Sequence, residues 1–292
     1  MKIPFQTVDV FTDRKFGGNP LAVIPDASGL STGQMQAIAA EFNLAETTFV
    51  LPPADPAHTA HVRIFTPKSE MPFAGHPNVG TAFVLARMGR PGDRFVFEEK
   101  AGLVPLDLTR QDGVVVAARL AAPQPLTLGE TVAPDLVAQA VGLDASDIVG
   151  QPVVASTGNK FLFAEVASRA ALKAATYNLD VFRRHLPMER TVGVHLYVAT
   201  EADGVEVQSR MFAPLFGVPE DPATGSANVS LIGLLAARDP RADLVLTKRI
   251  GQGFDMGRPS LLDATAEKTA GRVVATYIGG RCVPMLSGTI QL

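Results

Sequence analysis

Two short strings in this chain combine glycine with imidazole, carboxylate and hydroxyl groups at a spacing that chemistry can use: Gly75-His76-Pro77 and Glu220-Asp221-Pro222-Ala223-Thr224-Gly225-Ser226. Each sets a glycine and then a polar side chain at the expected start of a helix. Free backbone N–H groups and the positive end of the helix dipole make such a place attractive to a carboxylate or phosphate. His76 adds a group that can change charge near neutral pH. Asp221 has two readings: an N-cap with Pro222 at the first helical position, or a carboxylate that contacts a ligand beside Gly225-Ser226. Capping alone accounts for a single Gly-polar pair, but here the pair recurs.

The elements that must position these groups recur with them. Arg63-Ile64-Phe65-Thr66-Pro67 precedes Gly75-His76-Pro77-Asn78-Val79, and Arg210-Met211-Phe212-Ala213-Pro214 precedes Gly225-Ser226-Ala227-Asn228-Val229, about half a chain length later. The order is apolar strand, Pro-bounded loop, Gly-polar pair and apolar helix, which predicts two similar domains. Helices are expected over 78–88 and 222–237, the second apolar on most sides and therefore central. Ahead of the first copy, Ser31 and Gln34 fit a capping box, and Met35, Ile38, Ala39 and Phe42 form one apolar stripe. Glu46 follows at a helix-to-strand junction. The best linker candidate is 121–125, and the end of the chain reads as three short strands over 272–278, 281–285 and 289–292.

Composition narrows the function classes. The chain has 292 residues, 47% hydrophobic and 19% charged, with a formal charge of −3; that suits a two-domain globular protein and gives no basic footprint for nucleic acid or an anionic membrane. No apolar stretch is long enough to span a bilayer. The single cysteine, Cys282, cannot form an intrachain disulfide, and a reducing cytoplasm is the expected location. It also excludes a racemase that works with a pair of thiols. His58 and His61 stand on opposite faces of a strand, so no metal is expected. Phosphate-binding glycine loops and a Gly-x-Ser-x-Gly elbow are absent.

Taken together, the motifs resemble the PhzF-like isomerase family of phenazine biosynthesis, which has the diaminopimelate epimerase fold. The resemblance runs nearly end to end. It rests on Phe11-Thr12 with Gly18-Asn19-Pro20-Leu21-Ala22-Val23, Asn43-Leu44-Ala45-Glu46-Thr47, the two Arg-x-Phe-x-Pro strings, Phe73-Ala74-Gly75-His76-Pro77, Glu220 to Ser226, and Gly257-Arg258-Pro259-Ser260. It implies an α+β protein of two pseudo-symmetric domains, 1–122 and 123–282. Each would be a mixed sheet or barrel around a central helix, with 283–292 pairing back to the first and an active site in the cleft between them.

The resemblance also assigns roles. Glu46 is the acid and base; His76, Asp221 and Ser226 hold and polarise the substrate; Gly75, Gly225, Asn19 and Thr224 line its site. Ala74 and Thr224 stand where cysteine-dependent epimerases carry thiols. The implied activity is a cofactor-independent proton shift within a small carboxylate-bearing molecule, similar to the isomerisation of trans-2,3-dihydro-3-hydroxyanthranilate, by a homodimer. Without the resemblance, Glu46 reads as a solvated charge and Arg258 as a turn residue. Two other readings stand beside this one: a small-acid binding protein on the same scaffold, and a cysteine-independent epimerase with Asp221 or His76 as the second base.

Overall fold

The computed structural model describes residues 2–292. The chain divides into two compact units, one built from the residues up to Pro123 with Gly279–Leu292, the other from Gln124–Ile278. The first holds β1 (Lys2–Val10), β2 (Asn19–Ile24), α1 (Thr32–Phe42), β3 (Glu46–Leu51), β4 (Ala60–Phe65), β5 (Glu70–Met71), α2 (Gly75–Arg87), β6 (Arg94–Glu99), β7 (Gly102–Gln111) and β8 (Val114–Ala121). The second holds β9 (Thr127–Thr131), α3 (Pro134–Val141), β10 (Ile148–Ser156), β11 (Lys160–Val166), α4 (Arg169–Ala174), α5 (Leu179–His185), β12 (Gly193–Ala199), β13 (Val207–Ala213), β14 (Val218–Asp221), α6 (Gly225–Arg238), β15 (Leu244–Gln252) and β16 (Ser260–Thr269). The final strand, β17 (Arg272–Gln291), contributes to both. This is an α+β protein rich in mixed sheet and poor in helix. Among the described residues, no helix is long and apolar enough to cross a membrane.

In the first unit β1 pairs antiparallel with β2 and with the end of β17. Then β2–β3 is parallel, β3–β4 antiparallel, β4–β6 parallel, and β6–β7 and β7–β8 antiparallel. The second unit runs through the same succession: β10–β11 antiparallel, β11–β12 parallel, β12–β13 antiparallel, β13–β15 parallel and β15–β16 antiparallel.

In each unit the strands pack against one helix that is buried on most sides. Every residue of α2 from Gly75 to Ala86 is buried, and its neighbours are β1, β2, β3, β7 and β8. Gly80 permits the close approach: a Cβ there would lie 2.6 Å from Leu21 Cδ2 and 2.7 Å from Val10 Cγ2. Burying Val79 and Phe83 completely stabilises the unit by about 1.5–3 kcal/mol apiece. The counterpart α6 is buried on most sides and packs on β10, β15 and β16. Outside the first sheet, α1 lays Met35, Ile38 and Ala39 over Ile24, Phe49 and Phe65, and its capping box of Ser31 and Gln34 is formed.

Three boundaries differ from the sequence reading. The helix α2 begins at Gly75, not residue 78, because Pro77 falls in the first turn, where a missing N–H costs nothing. The helix α6 begins at Gly225, not Pro222, because Asp221 is still extended in β14 and paired with Met211. The N-cap is Thr224, so the N-cap reading of Asp221 is wrong. Finally, the three expected C-terminal strands are one continuous strand, β17. Gly279 and Gly288 do not break it, since each gives space to a neighbour: Ala118 O would lie 2.7 Å from a Cβ on the first, and the Phe5 ring 2.8 Å from one on the second.

Candidate active site

The carboxylate of Glu46 reaches its position through two local constraints. Asn43 ends α1 in the left-handed conformation, φ 50°, a geometry that asparagine tolerates better than most residues. The chain then turns directly into β3, whose first residue, Glu46, pairs with Leu21 of β2. Side chains alternate along a strand, so Glu46 and Thr48 share a face. That face looks at α2, because the Thr48 and Thr81 hydroxyls are hydrogen-bonded to each other at 2.8 Å inside the unit. This bond fixes the register of β3 on α2 and sets Glu46 against the helix's first turn.

There, Glu46 Oε2 lies 3.6 Å from His76 Nε2, with the imidazole buried and the carboxylate mostly so. Asn19, the first residue of β2, places its amide nitrogen 3.4 Å from His76 Nδ1. Burial pushes the His76 imidazole down to about 3, against a smaller upward pull from the Pro20 carbonyl. The ring is therefore neutral at pH 7, and its contact with Glu46 is one between a carboxyl group and a dipole. The first unit thus assembles Glu46, His76, Asn19 and Gly75.

The second unit assembles Asp221, Thr224, Gly225 and Ser226. Asp221 ends β14, and its Oδ2 accepts from the Thr224 hydroxyl at 2.6 Å. Ser226 is the second residue of α6 and half-buried. A residue outside the motif braces the turn: Gln252, at the end of β15 and fully buried. Its Nε2 donates to the Asp221 carbonyl at 2.7 Å and to Thr224 Oγ1 at 3.0 Å, while its Oε1 accepts from Thr224 N at 3.1 Å and Asn228 Nδ2 at 2.7 Å. Thr224 is therefore engaged with its own turn through both hydroxyl and amide. The sequence reading passed over Gln252; its signal is the polar residue amid Gly251 and Gly253 at a strand end. Arg258 lies in the loop between β15 and β16, where its N–H bonds to the Gly253 carbonyl.

The helices divide by capping, with α3 uncapped at Ala133 like the two central helices. Side chains cap α1, α4 and α5, through Ser31, Ser168 and Asn178. No side chain caps α2 or α6, whose N-caps are Ala74 and Thr224. Their first-turn N–H groups are aimed beyond the helix end, as an anion site requires.

The motif arginines are structural. Arg63 is bidentate to Glu70, at 2.8 and 2.9 Å, and Arg210 to Glu220 at the same distances. Each also stacks on the phenylalanine two residues on, Phe65 or Phe212. Glu70 is held down to about 2, chiefly by its bond to Arg63. These pairs secure the hairpins ahead of α2 and α6. Cys282 is buried opposite Val10 in β17, and burial pushes its thiol up to about 12, which makes it inert as a nucleophile or base.

Comparison with known proteins agrees across the whole chain. The family model described as phenazine biosynthesis-like protein matches residues 8–288. A trans-2,3-dihydro-3-hydroxyanthranilate isomerase of Pseudomonas chlororaphis is 37% identical, covering 98% of this chain and 98% of the relative. A protein of Mesorhizobium japonicum named an uncharacterized isomerase is also 37% identical, over 97% of this chain and 96% of its own. Among solved structures, a phenazine biosynthesis protein of the PhzF family from Bacillus anthracis superposes with a TM-score of 0.91 at 24% identity, covering 100% of both chains; at that identity the likeness speaks for the fold.

Proposed function

Because the chain belongs to the phenazine biosynthesis-like protein family and is an isomerase, we propose that it moves a proton within a small carboxylate-bearing substrate, Glu46 serving as both base and acid. The observation that carries this reading is the Glu46–His76 pair, 3.6 Å apart at the uncapped start of α2. A carboxylate there can take a proton from a carbon beside an unsaturated system. The electron pair left behind spreads through the conjugated bonds, and the protonated Glu46, whose O–H exchanges with solvent, returns a proton to their far end. Substrate and product then have the same atoms and charge.

The neutral state of His76 suits this cycle. An imidazolium beside Glu46 would stabilise its carboxylate and blunt it as a base; a neutral ring keeps the group oriented without that cost. His76 and Asn19 accordingly position Glu46 and polarise the substrate. The N–H groups at Gly75 receive negative charge as it develops. To the second unit we assign substrate holding, with Asp221, Thr224, Gly225 and Ser226 as its contacts.

Further proposals are that the reaction proceeds without a cofactor, in a homodimer, in the cytoplasm, and that the two units form pseudo-symmetric domains of diaminopimelate epimerase type. Trans-2,3-dihydro-3-hydroxyanthranilate is the first substrate to test, since the relative from P. chlororaphis is named for it. Incubation in deuterated water followed by mass spectrometry and NMR of the product checks the reading. An isomerised product supports it, whereas unchanged substrate with no label rejects this substrate, and racemisation at one carbon rejects the proton shift.

A further inference from the structure

Glu99 takes, in the first unit, the place that Gln252 takes in the second. Strand β6 runs parallel to β4 with Ala60 beside Phe97 and His61 beside Glu98. Strand β15 runs parallel to β13 with Val207 beside Ile250, Gln208 beside Gly251 and Ser209 beside Gln252. When Arg63 of the first motif is set on Arg210 of the second, one more step along β6 brings Glu99 onto Gln252. Both residues then end the strand that meets the first turn of a central helix. The partner is also shared: Asn78 Nδ2 donates to the Ala74 carbonyl at 2.9 Å, as Asn228 Nδ2 does to the Thr224 carbonyl at 3.0 Å.

The two braces differ in hydrogen-bond chemistry. Gln252 offers a donor and an acceptor and uses both. An ionised Glu99 offers acceptors only. Its two carboxyl oxygens are buried and receive no donor at ordinary geometry, and Asn78 Oδ1 is in the same situation. Groups left so are costly. One proton on the Glu99 carboxyl removes the conflict, turning it into a donor and acceptor like the amide of Gln252.

We propose that Glu99 is a positioning residue for the Glu46–His76 pair: through Asn78 its protonated carboxyl fixes the first turn of α2, as the Gln252 amide fixes that of α6. This rests on the acid/base reading of Glu46. The electrostatics agree. Burial pushes the Glu99 carboxyl up to about 8, the Asn78 amide pulling it back only in part. No charged side chain contributes to that shift. β7 sets Gly102 opposite Glu99, and α2 offers the neutral Asn78. Of its neighbours in the chain, Glu98 is engaged with His58 and Lys100 with Glu70.

The test compares the intact wild-type chain with Glu99→Gln and Glu99→Ala. Infrared spectra at pH 7 are expected to show a carboxylic-acid band in wild type that Glu99→Gln removes. In isomerisation assays, Glu99→Gln should keep kcat at pH 7 within about threefold and extend activity to higher pH, while Glu99→Ala lowers kcat about tenfold or more with KM little changed. If Glu99→Gln loses as much kcat as Glu99→Ala, or if no band is lost, the assignment is overturned. The infrared result needs no turnover: a band lost in a chain that isomerises nothing overturns the proposed reaction and leaves Glu99 as the protonated brace of α2.

Discussion

Glu46 and Gly193 hold the same register position in two corresponding sets of strands. Glu46 opens β3 one residue before Thr47, which pairs with Phe65; Gly193 opens β12 one residue before Val194, which pairs with Phe212. The second position cannot take a side chain, since a Cβ on Gly193 would lie 2.5 Å from the Phe212 carbonyl oxygen and 3.0 Å from Met211 Sδ. The unit that carries Asp221 and Ser226 therefore has no room for a carboxylate where its counterpart carries one. That asymmetry favours a proton shift by one base over a two-base epimerisation.

Gly193→Ala is accordingly expected to destabilise the chain by about 1–3 kcal/mol, measured by urea unfolding. In a Glu46→Gln background, Gly193→Glu should restore no activity. Recovered turnover in that double variant would show that the second unit can supply a base.

The bond between Thr48 and Thr81 sets the height of Glu46 on α2, so disturbing it should damage catalysis at a distance. Thr48→Val removes one hydroxyl and leaves the other buried, at a cost of about 1–3 kcal/mol. The expected kinetic effect is a fall in kcat of about tenfold with KM little changed. Thr48→Ser should behave nearly as wild type. Equal kcat in Thr48→Val and wild type would mean that the bond does not position Glu46.

Two buried histidines give stability a defined acid limb. His76 and His195 are each pushed down to about 3 by burial, against 6.5 in the unfolded chain. Between those values the unfolded state binds more protons, so stability is complete above pH 6.5 and is lost as pH falls toward 3. Each histidine should contribute about 2–3 kcal/mol to the loss between pH 6.5 and 4.5. Thermal unfolding across that range checks it, with His195→Gln expected to flatten the limb. Imidazole NMR signals of His76 that titrate near 6.5 would contradict its neutral state.

Much of this arrangement was legible in the amino-acid order, and the exceptions have physical causes. The capping box at Ser31, the stop at Asn43 and the two apolar helices follow from local spacing, and the structure has all of them. The start of α6 was misread because Asp-Pro is a good local helix start, while strand pairing to Met211, a tertiary effect, keeps Asp221 extended. The three-strand reading of β17 failed because its glycines serve close packing. Glu46 carried little local signal: its closeness to His76 depends on how β3 sits on α2, which no spacing in the chain reports. Gln252 and Glu99 were missed for the same reason. They come from strands remote in sequence from the turns they meet, and only the parallel registers bring them there.

The central claim is that Glu46 carries the proton, and solvent isotope incorporation by wild type and Glu46→Gln tests it most directly. Glu46→Gln preserves shape and removes the base, so it should remain folded with an unchanged thermal midpoint while deuterium incorporation falls by about 10²–10⁴-fold. Incorporation by Glu46→Gln at the wild-type rate would contradict the account.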